Sequence, residues 1–394
     1  MATNTDIPQG YKATALGIIP QEWKTIRLKD CFSISAGGDV QKDCFSEAPS
    51  LQYKYPIYSN SLFNHGLYGF TSHPRHKANS ITITGRGALG HAEYREIDFD
   101  AIVRLLVLAP KIPLNGQYIT EYINFRKPFF YESTGVPQLT APQIANIQVL
   151  FPPLGEQRKI AEVLGVWDEA IEKQARLIEK LALRKRGLMQ RLLSAKLRLP
   201  GFSEPWKIHK LQELFTERNE TNRTDLPLLS ITGDRGVILQ TESEKRDTSN
   251  DDKSKYKRIA KGDIGYNTMR MWQGRSALSG LEGIVSPAYT IVVPNTDVDG
   301  YYMSVLFKKP RLIYDFWTHS QGLVGDTLNC KYRDFGQVHI CCPPLAEQKA
   351  ITEVLTAADR EIELAKEKLE RLRRQKRGLM QQLLSGKKRV KINI

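Results

Sequence analysis

The hexapeptide Lys-Arg-Gly-Leu-Met-Gln occupies residues 185–190 and recurs at 376–381, 191 positions later. The match extends well beyond six letters. Pro152–Leu199 and Pro343–Val390 align without a gap, and 25 of 48 positions are identical. Both copies open on Pro-Pro-Leu-x-Glu-Gln, with Pro152, Pro153, Leu154, Glu156 and Gln157 answering Pro343, Pro344, Leu345, Glu347 and Gln348. Self-similarity at a fixed offset marks a duplicated structural unit. This offset is too long for a solenoid and divides the chain into two half-molecules.

Each repeated block predicts one long helix. From Ile160 a four-three spacing runs through Leu164, Trp167, Ile171, Gln174, Ile178, Leu181, Lys185, Leu188 and Leu192, and eight of the ten positions are apolar. The same frame in the second copy gives Ile351, Leu355, Ala358, Ile362, Ala365, Leu369, Leu372, Lys376, Leu379 and Leu383, with nine apolar. Apolar residues every 3.5 positions, with charges on the other faces, form a coiled-coil seam. The polar exceptions Lys185 and Lys376 fall at one seam position in both copies. Prolines precede the first turn, where a missing N–H costs nothing, and Pro200-Gly201 ends the first block. About 39 residues at ~1.5 Å each make a rod of ~58 Å. Gly187 and Gly378, poor helix formers, point to a kink or a close helix–helix approach, or equally to a tolerated surface glycine.

The segments before each helix differ in kind. They are rich in aromatic and β-branched residues, Gly and Pro, and alternating runs predict strands at 80–84, 102–108, 147–151, 289–293 and 338–341. The two segments barely match each other, apart from a shared entry: Trp23 before Leu28 and Phe32, and Trp206 before Leu211 and Phe215. The organisation is a first globule (1–148), a first helix (149–199), a second globule (200–340) and a second helix with a basic tail (341–394).

With 394 residues the chain has room for two or more cored domains. Lys and Arg exceed Asp and Glu by 14 (57 against 43). Such a balance points to a polyanion, nucleic acid first and anionic membrane second. A merely soluble basic protein has the same balance. The five cysteines form no Cys-x-x-Cys, the MATNTDIPQG terminus is no signal peptide, and no run nears the ~20 apolar residues of a membrane span. These features lead to the expectation of a reducing cytoplasm.

Motifs for chemistry are few. Gly85–Gly90 fits G-x-G-x-x-G but is followed by another strand, so it reads as a turn. Asn295-x-Asp297-x-Asp299-Gly300 imitates an EF-hand start, yet Leu306 stands where the bidentate Glu belongs. His73 and His76 flank Pro74 with no ligand cluster beside them. Neither a Walker A sequence nor the Asp/Asn-Pro-Pro-aromatic motif of amino-methyltransferases is present. Residues suited to nucleic acid are denser. Lys54, Tyr58, Asn60, Asn64, Arg75, Lys77 and Arg86 gather in the first globule. Lys253, Lys255, Lys257, Arg258, Asn267, Arg270, Gln273 and Arg275 gather in the second. Arg and Lys neutralise phosphates, Arg also reads guanine, and Asn or Gln reads adenine. The inference rests on density and net charge, since any single one of these residues is better explained as surface or core.

Taken together, the chain resembles the specificity subunit of type I restriction–modification systems. The resemblance is carried by PPLGEQRKI and PPLAEQKAI, the KRGLMQ and LLS helix ends, the two Trp-x-x-x-x-Leu entries, and Gly283-Ile-Val-Ser-Pro-Ala-Tyr289. It covers nearly the whole chain. It implies an α+β fold with a pseudo-twofold internal repeat: two mixed α/β target recognition domains separated by two long antiparallel coiled-coil helices. It further implies that each globule reads one half of a bipartite asymmetric site in double-stranded DNA while the helices fix the spacing. Two adenine-N6 methyltransferase (modification) subunits and two ATP-dependent restriction subunits would be the partners, with no membrane. S-adenosylmethionine, ATP and magnesium would belong to those subunits, and this chain would bind no cofactor or metal and have no catalytic residue. The residues themselves agree, since methyl transfer within a duplex needs base flipping and a cofactor pocket, and no cofactor motif is visible. The rival readings are a coiled-coil scaffold whose globules bind protein or glycan, a self-sufficient methyltransferase–nuclease, and the specificity subunit of another multisubunit methylation system.

Overall fold

The two repeated blocks form single helices, Leu154–Leu192 and Leu345–Leu383, of 39 residues each. In this computed structural model the described residues are 7–127, 137–233, 235–243, 249–322 and 328–391. The first six residues, read above as part of the amino terminus, lie outside them. Every seam position of both helices is buried or half-buried, and none is exposed. The two Lys residues follow the same rule. A β-carbon added at Gly187 or Gly378 would meet nothing within 4 Å, so neither glycine serves a close helix approach.

The expected four segments combine differently in space. One compact unit comprises 1–176 with 366–394, and the other comprises 177–365. Each unit therefore joins one globule to half of each long helix. In the first unit Ile160, Leu164, Leu383 and Leu384 enter the same core as Trp23, Phe32 and Tyr118. In the second, Leu192, Leu193, Ile351 and Leu355 enter the core of Phe215, Tyr266 and Phe335. Within each unit the helix halves run antiparallel: Lys376 meets Asp168, while Leu383 further along shares a core with Ile160 further back. The expected boundaries at 148/149 and 340/341 fall inside strands. Gln148–Phe151 pairs antiparallel with Lys24–Arg27, and His339–Cys342 with Lys207–Lys210. The globules thus close on these strands, at the Pro-Pro pairs.

The two globules have little sequence in common but share one framework. In the first, a four-stranded sheet runs Phe32–Ala36, Leu106–Pro110, Ser80–Ile83, Ala92–Arg95 in spatial order. In the second, the order is Phe215–Glu217, Tyr289–Pro294, Ile264–Asn267, Ser276–Leu278. Position for position this is the same topology. Each sheet is entered through a one-turn helix, Leu28–Cys31 or Leu211–Leu214, which follows the repeated Trp. A second small sheet in the first globule orders Asp100–Ala101, Tyr55–Tyr58, Leu67–Thr71 and Phe45–Ser46. The strand expected over 102–108 begins only at Leu106. Val103 and Arg104 take positive φ of 53° and 58° and turn the chain.

The repeated Glu and Gln explain how a globule is fastened to its helices. Glu156 is fully buried and accepts from Trp23 Nε1 (2.9 Å) and from Arg389 Nε and Nη2 (2.6 and 2.8 Å). Glu347 repeats this with Trp206 (3.2 Å) and Arg198 (2.6 and 2.8 Å). Gln157 accepts from the backbone N–H of Asn115, and Gln348 from that of Asp299, both at 2.9 Å. Asn115 and Asp299 are the N-caps of equivalent helices, Gly116–Arg126 and Gly300–Leu306. The EF-hand-like Asp299 is therefore a cap.

The seam lysines are paired as well. Lys376 Nζ reaches Asp168 (2.6 Å) and Glu121 (3.0 Å). Lys185 reaches Asp359 (2.5 Å), which also accepts from Tyr301 Oη. Asp168 and Asp359 are equivalent positions of the repeat. Burial pushes the Glu121 carboxyl above its usual range; Lys376 opposes the shift and Asp168 adds to it.

These pairings generate two predictions. Removing one partner of a buried ion pair strands the other charge. Arg389→Ala should cost about 3 kcal/mol in urea unfolding, and adding Glu156→Gln should recover part of that loss. Lys376→Met, which leaves two carboxylates facing each other, should cost about 2–3 kcal/mol. Lys185→Met should cost about 1 kcal/mol, because it strands one half-exposed carboxylate that keeps Tyr301, whereas Lys376 also faces the buried Glu121. Equal losses for the two lysines would contradict the pairing described.

Candidate nucleic-acid interface

In the first globule the loops 59–66, 84–90 and 102–105 meet at one end of the main sheet. Asn60 joins them: its Nδ2 donates to Val103 O (2.6 Å) and its Oδ1 accepts from Gly85 N (2.7 Å). Its amide is therefore used internally, and Asn60 positions loops instead of reading a base. Tyr58 is likewise structural, lying under the guanidinium of the buried Arg95 at 3.6 Å. Arg75 is held by Asp100 (2.7 Å) and by Asp39 O (3.2 Å). Lys77 is exposed but ion-paired with Asp98 at 3.0 Å. Three of the seven sequence candidates stay open to solvent without an ion pair among the described residues. Lys54 sits beside the Tyr55 ring, Asn64 is in the left-handed region, and Arg86 makes only a 3.4 Å contact to Gln138.

The second globule sorts in the same way. Arg258 is clamped between Glu220 (2.7 Å) and Glu282 (2.6 Å). Lys257 faces Glu217 at 3.9 Å, and Lys253 donates to Asn250 O. Asn267 caps its own turn by accepting from Met269 N (3.0 Å). Lys255, Arg270, Gln273 and Arg275 are exposed, and their side chains make no hydrogen bond or ion pair among the described residues. Arg270, Gln273 and Arg275 share the hairpin loop that follows Ile264–Asn267. It is the topological counterpart of the loop carrying Arg86. Beneath it, burial lowers the Lys308 pKa to about 8, with Arg275 adding to the effect, and its ammonium donates to Gly274 O.

A cleft of about 540 Å³ borders this loop, lined by Met269, Lys257, Asn329, Lys331 and Arg333 among others. Asn329 Oδ1 is buried there without a hydrogen-bond partner among the described residues. Helix Pro310–His319 packs against the same loop and exposes Arg311, Tyr314 and Trp317. Apart from Lys257, none of these residues stood out in the sequence, because their neighbourhood forms only on folding. The exposed pair Leu62 and Phe63 was missed for the same reason.

Residues 20–182 match the type I restriction modification DNA specificity domain. A putative type I specificity subunit of Mycoplasma pneumoniae is 33% identical over 145 residues, a stretch that spans 36% of this chain and 39% of that protein. A putative type I restriction enzyme specificity subunit of Methanocaldococcus jannaschii is 25% identical over 97% of both chains. Among solved structures, the type I restriction–modification S subunit of M. genitalium superposes with a TM-score of 0.58 at 14% identity, covering 92% of this chain and 96% of that one. A chain from a study of assembly and conformational transition in the type I system gives 0.57 at 16% identity, covering 93% and 99%. The repeat, the paired frameworks and these likenesses agree: the chain is similar to type I restriction–modification DNA specificity subunits, in sequence over residues 20–182 and in fold over nearly its whole length.

Proposed function

We propose that this chain recognises one bipartite, asymmetric sequence in double-stranded DNA, each globule reading one half-site, and that it does no chemistry itself. The observation that carries this reading is the pair of equivalent hairpin loops. They sit on the same framework, fastened by the same Glu–Arg–Trp contact, yet present Arg86 in one globule and Arg270, Gln273 and Arg275 in the other. One scaffold with two unlike reading loops suits two unlike half-sites. The long helices, alike in both copies, present like faces to two modification subunits, with which two restriction subunits would assemble. S-adenosylmethionine, ATP and magnesium would be bound by those partners. The complex would work in the cytoplasm. Among the described residues no helix is long and apolar enough to cross a membrane.

The helices would also set the spacer. Inserting one heptad after Arg176 and one after Ala365 keeps both fastenings within their own units. It should change the spacer and leave both half-sites unaltered, as read by sequencing methylated adenines in cells carrying the complete system. Exchange of residues 28–147 for those of a relative should change one half-site only. If the heptads altered which bases are read, the helices would not be a ruler. Binding of the modification complex to its site should weaken by about tenfold or more between ~50 and ~200 mM salt, because Lys and Arg release counterions from phosphates. A flat salt response would overturn DNA contact altogether.

A further inference from the structure

The first globule exposes a feature that a soluble domain ordinarily hides. Phe63 is 86% exposed and Leu62 52%, at the tip of loop 59–66, and Val103 is 49% exposed on the adjoining loop. The backbone beneath them is costly. Asn64, His65, Val103 and Arg104 all have positive φ, and for a β-branched residue such as Val103 that is a genuine outlier. Strained positions persist where the surroundings over-determine them, and they gather at functional sites. Here the surroundings are explicit. Gly66 takes φ of 78° with Ser59 O and Ser61 O so close that a β-carbon would clash, and Asn60 ties the tip to Val103 and Gly85. The fold thus spends its internal contacts on holding an aromatic side chain out in water.

The rim of this tip is cationic. Arg86 and Arg104 are exposed and without an ion pair among the described residues. Glu93, an acid beside the tip, is engaged by His65 (3.3 Å) and His91 (3.0 Å). An apolar tip flanked by free arginines complements a duplex, whose phosphates meet the cations while its base stack accepts the ring. Apolar side chains inserted at base steps unstack and kink DNA in just this setting.

We propose that Phe63, backed by Leu62, is a wedge that enters the base stack at the half-site read by the first globule. The proposal rests on the DNA-recognition reading above. The test uses the intact modification complex and duplexes carrying its methylation site, with 2-aminopurine placed at successive steps of that half-site. Wild type should brighten the probe at one step other than the target adenine, which the modification subunit would flip. Phe63→Ala should abolish that signal and weaken cognate binding by about tenfold, the scale of one lost base–aromatic stack. Phe63→Leu should retain part of both. The exposed position leaves the core intact, which unchanged thermal unfolding would confirm. Unchanged brightening and affinity in Phe63→Ala would overturn the wedge while leaving DNA recognition standing. Loss of complex assembly with DNA binding per subunit unaltered would make the tip a protein-docking site and also overturn it. Salt-independent binding by wild type would instead sink the recognition reading beneath it.

Discussion

A carboxylate with no exposure to water must be paired, and Glu156 and Glu347 are paired in a way that determines how the whole chain is assembled. Arg389 lies in the second repeated block but completes Glu156 of the first, and Arg198 lies in the first but completes Glu347 of the second. Neither block can satisfy its own buried charge. Each compact unit is therefore built from residues far apart in sequence, and the first takes in both ends of the chain. Tyr11 Oη donating to Gly386 O and Arg389 reaching Glu22 belong to the same closure. The seam lysines follow the same exchange, Lys376 with Asp168 and Lys185 with Asp359.

This crossing of partners accounts for what the two halves kept and what they lost. A residue that must fit an equivalent partner in the other copy is constrained twice. Glu156, Gln157, Asp168, Lys185 and Arg198 each recur at an offset of 191. The globules meet this system at the Trp entry, at one helix cap, at Glu121 or Tyr301, and through the shared cores, and these contacts seat them. Beyond those contacts the sheet needs only its alternation of apolar side chains, which many sequences supply. So the strand order is shared by both globules while their sequences differ.

The repeat, the two long helices and the seam frame were all legible in the sequence, because they depend on local periodicity and punctuation. The strand over 102–108 was misjudged because its apolar pattern continues through Val103 and Arg104, where tertiary contacts to Gly37 and Gly38 bend the backbone. The common framework of the globules was invisible for the reason just given. Charge was the hardest to read. Arg75, Arg258 and Lys77 look identical in sequence to Arg86 and Arg270, yet the first three are spoken for by Asp100, Glu220, Glu282 and Asp98. One signal was present and unused: Asp168/Asp359 and Arg198/Arg389 are identical polar positions outside the apolar seam, as pairing partners would be.

The sorting of charges sharpens what the net charge of +14 means. A cation already neutralised by a buried or half-buried carboxylate contributes little field toward a distant polyanion, and its geometry is fixed by its partner. On the DNA-recognition reading proposed above, the steering field would come from the unpaired remainder, and in each globule part of that remainder lies on the hairpin loop at equivalent strands. Internal ion pairs hold the framework rigid, and free arginines on the loops face outward. A base can be discriminated only by a donor held in place. The same fold that consumes half of the apparent binding residues would thus, on the proposed reading, be what allows the others to read sequence.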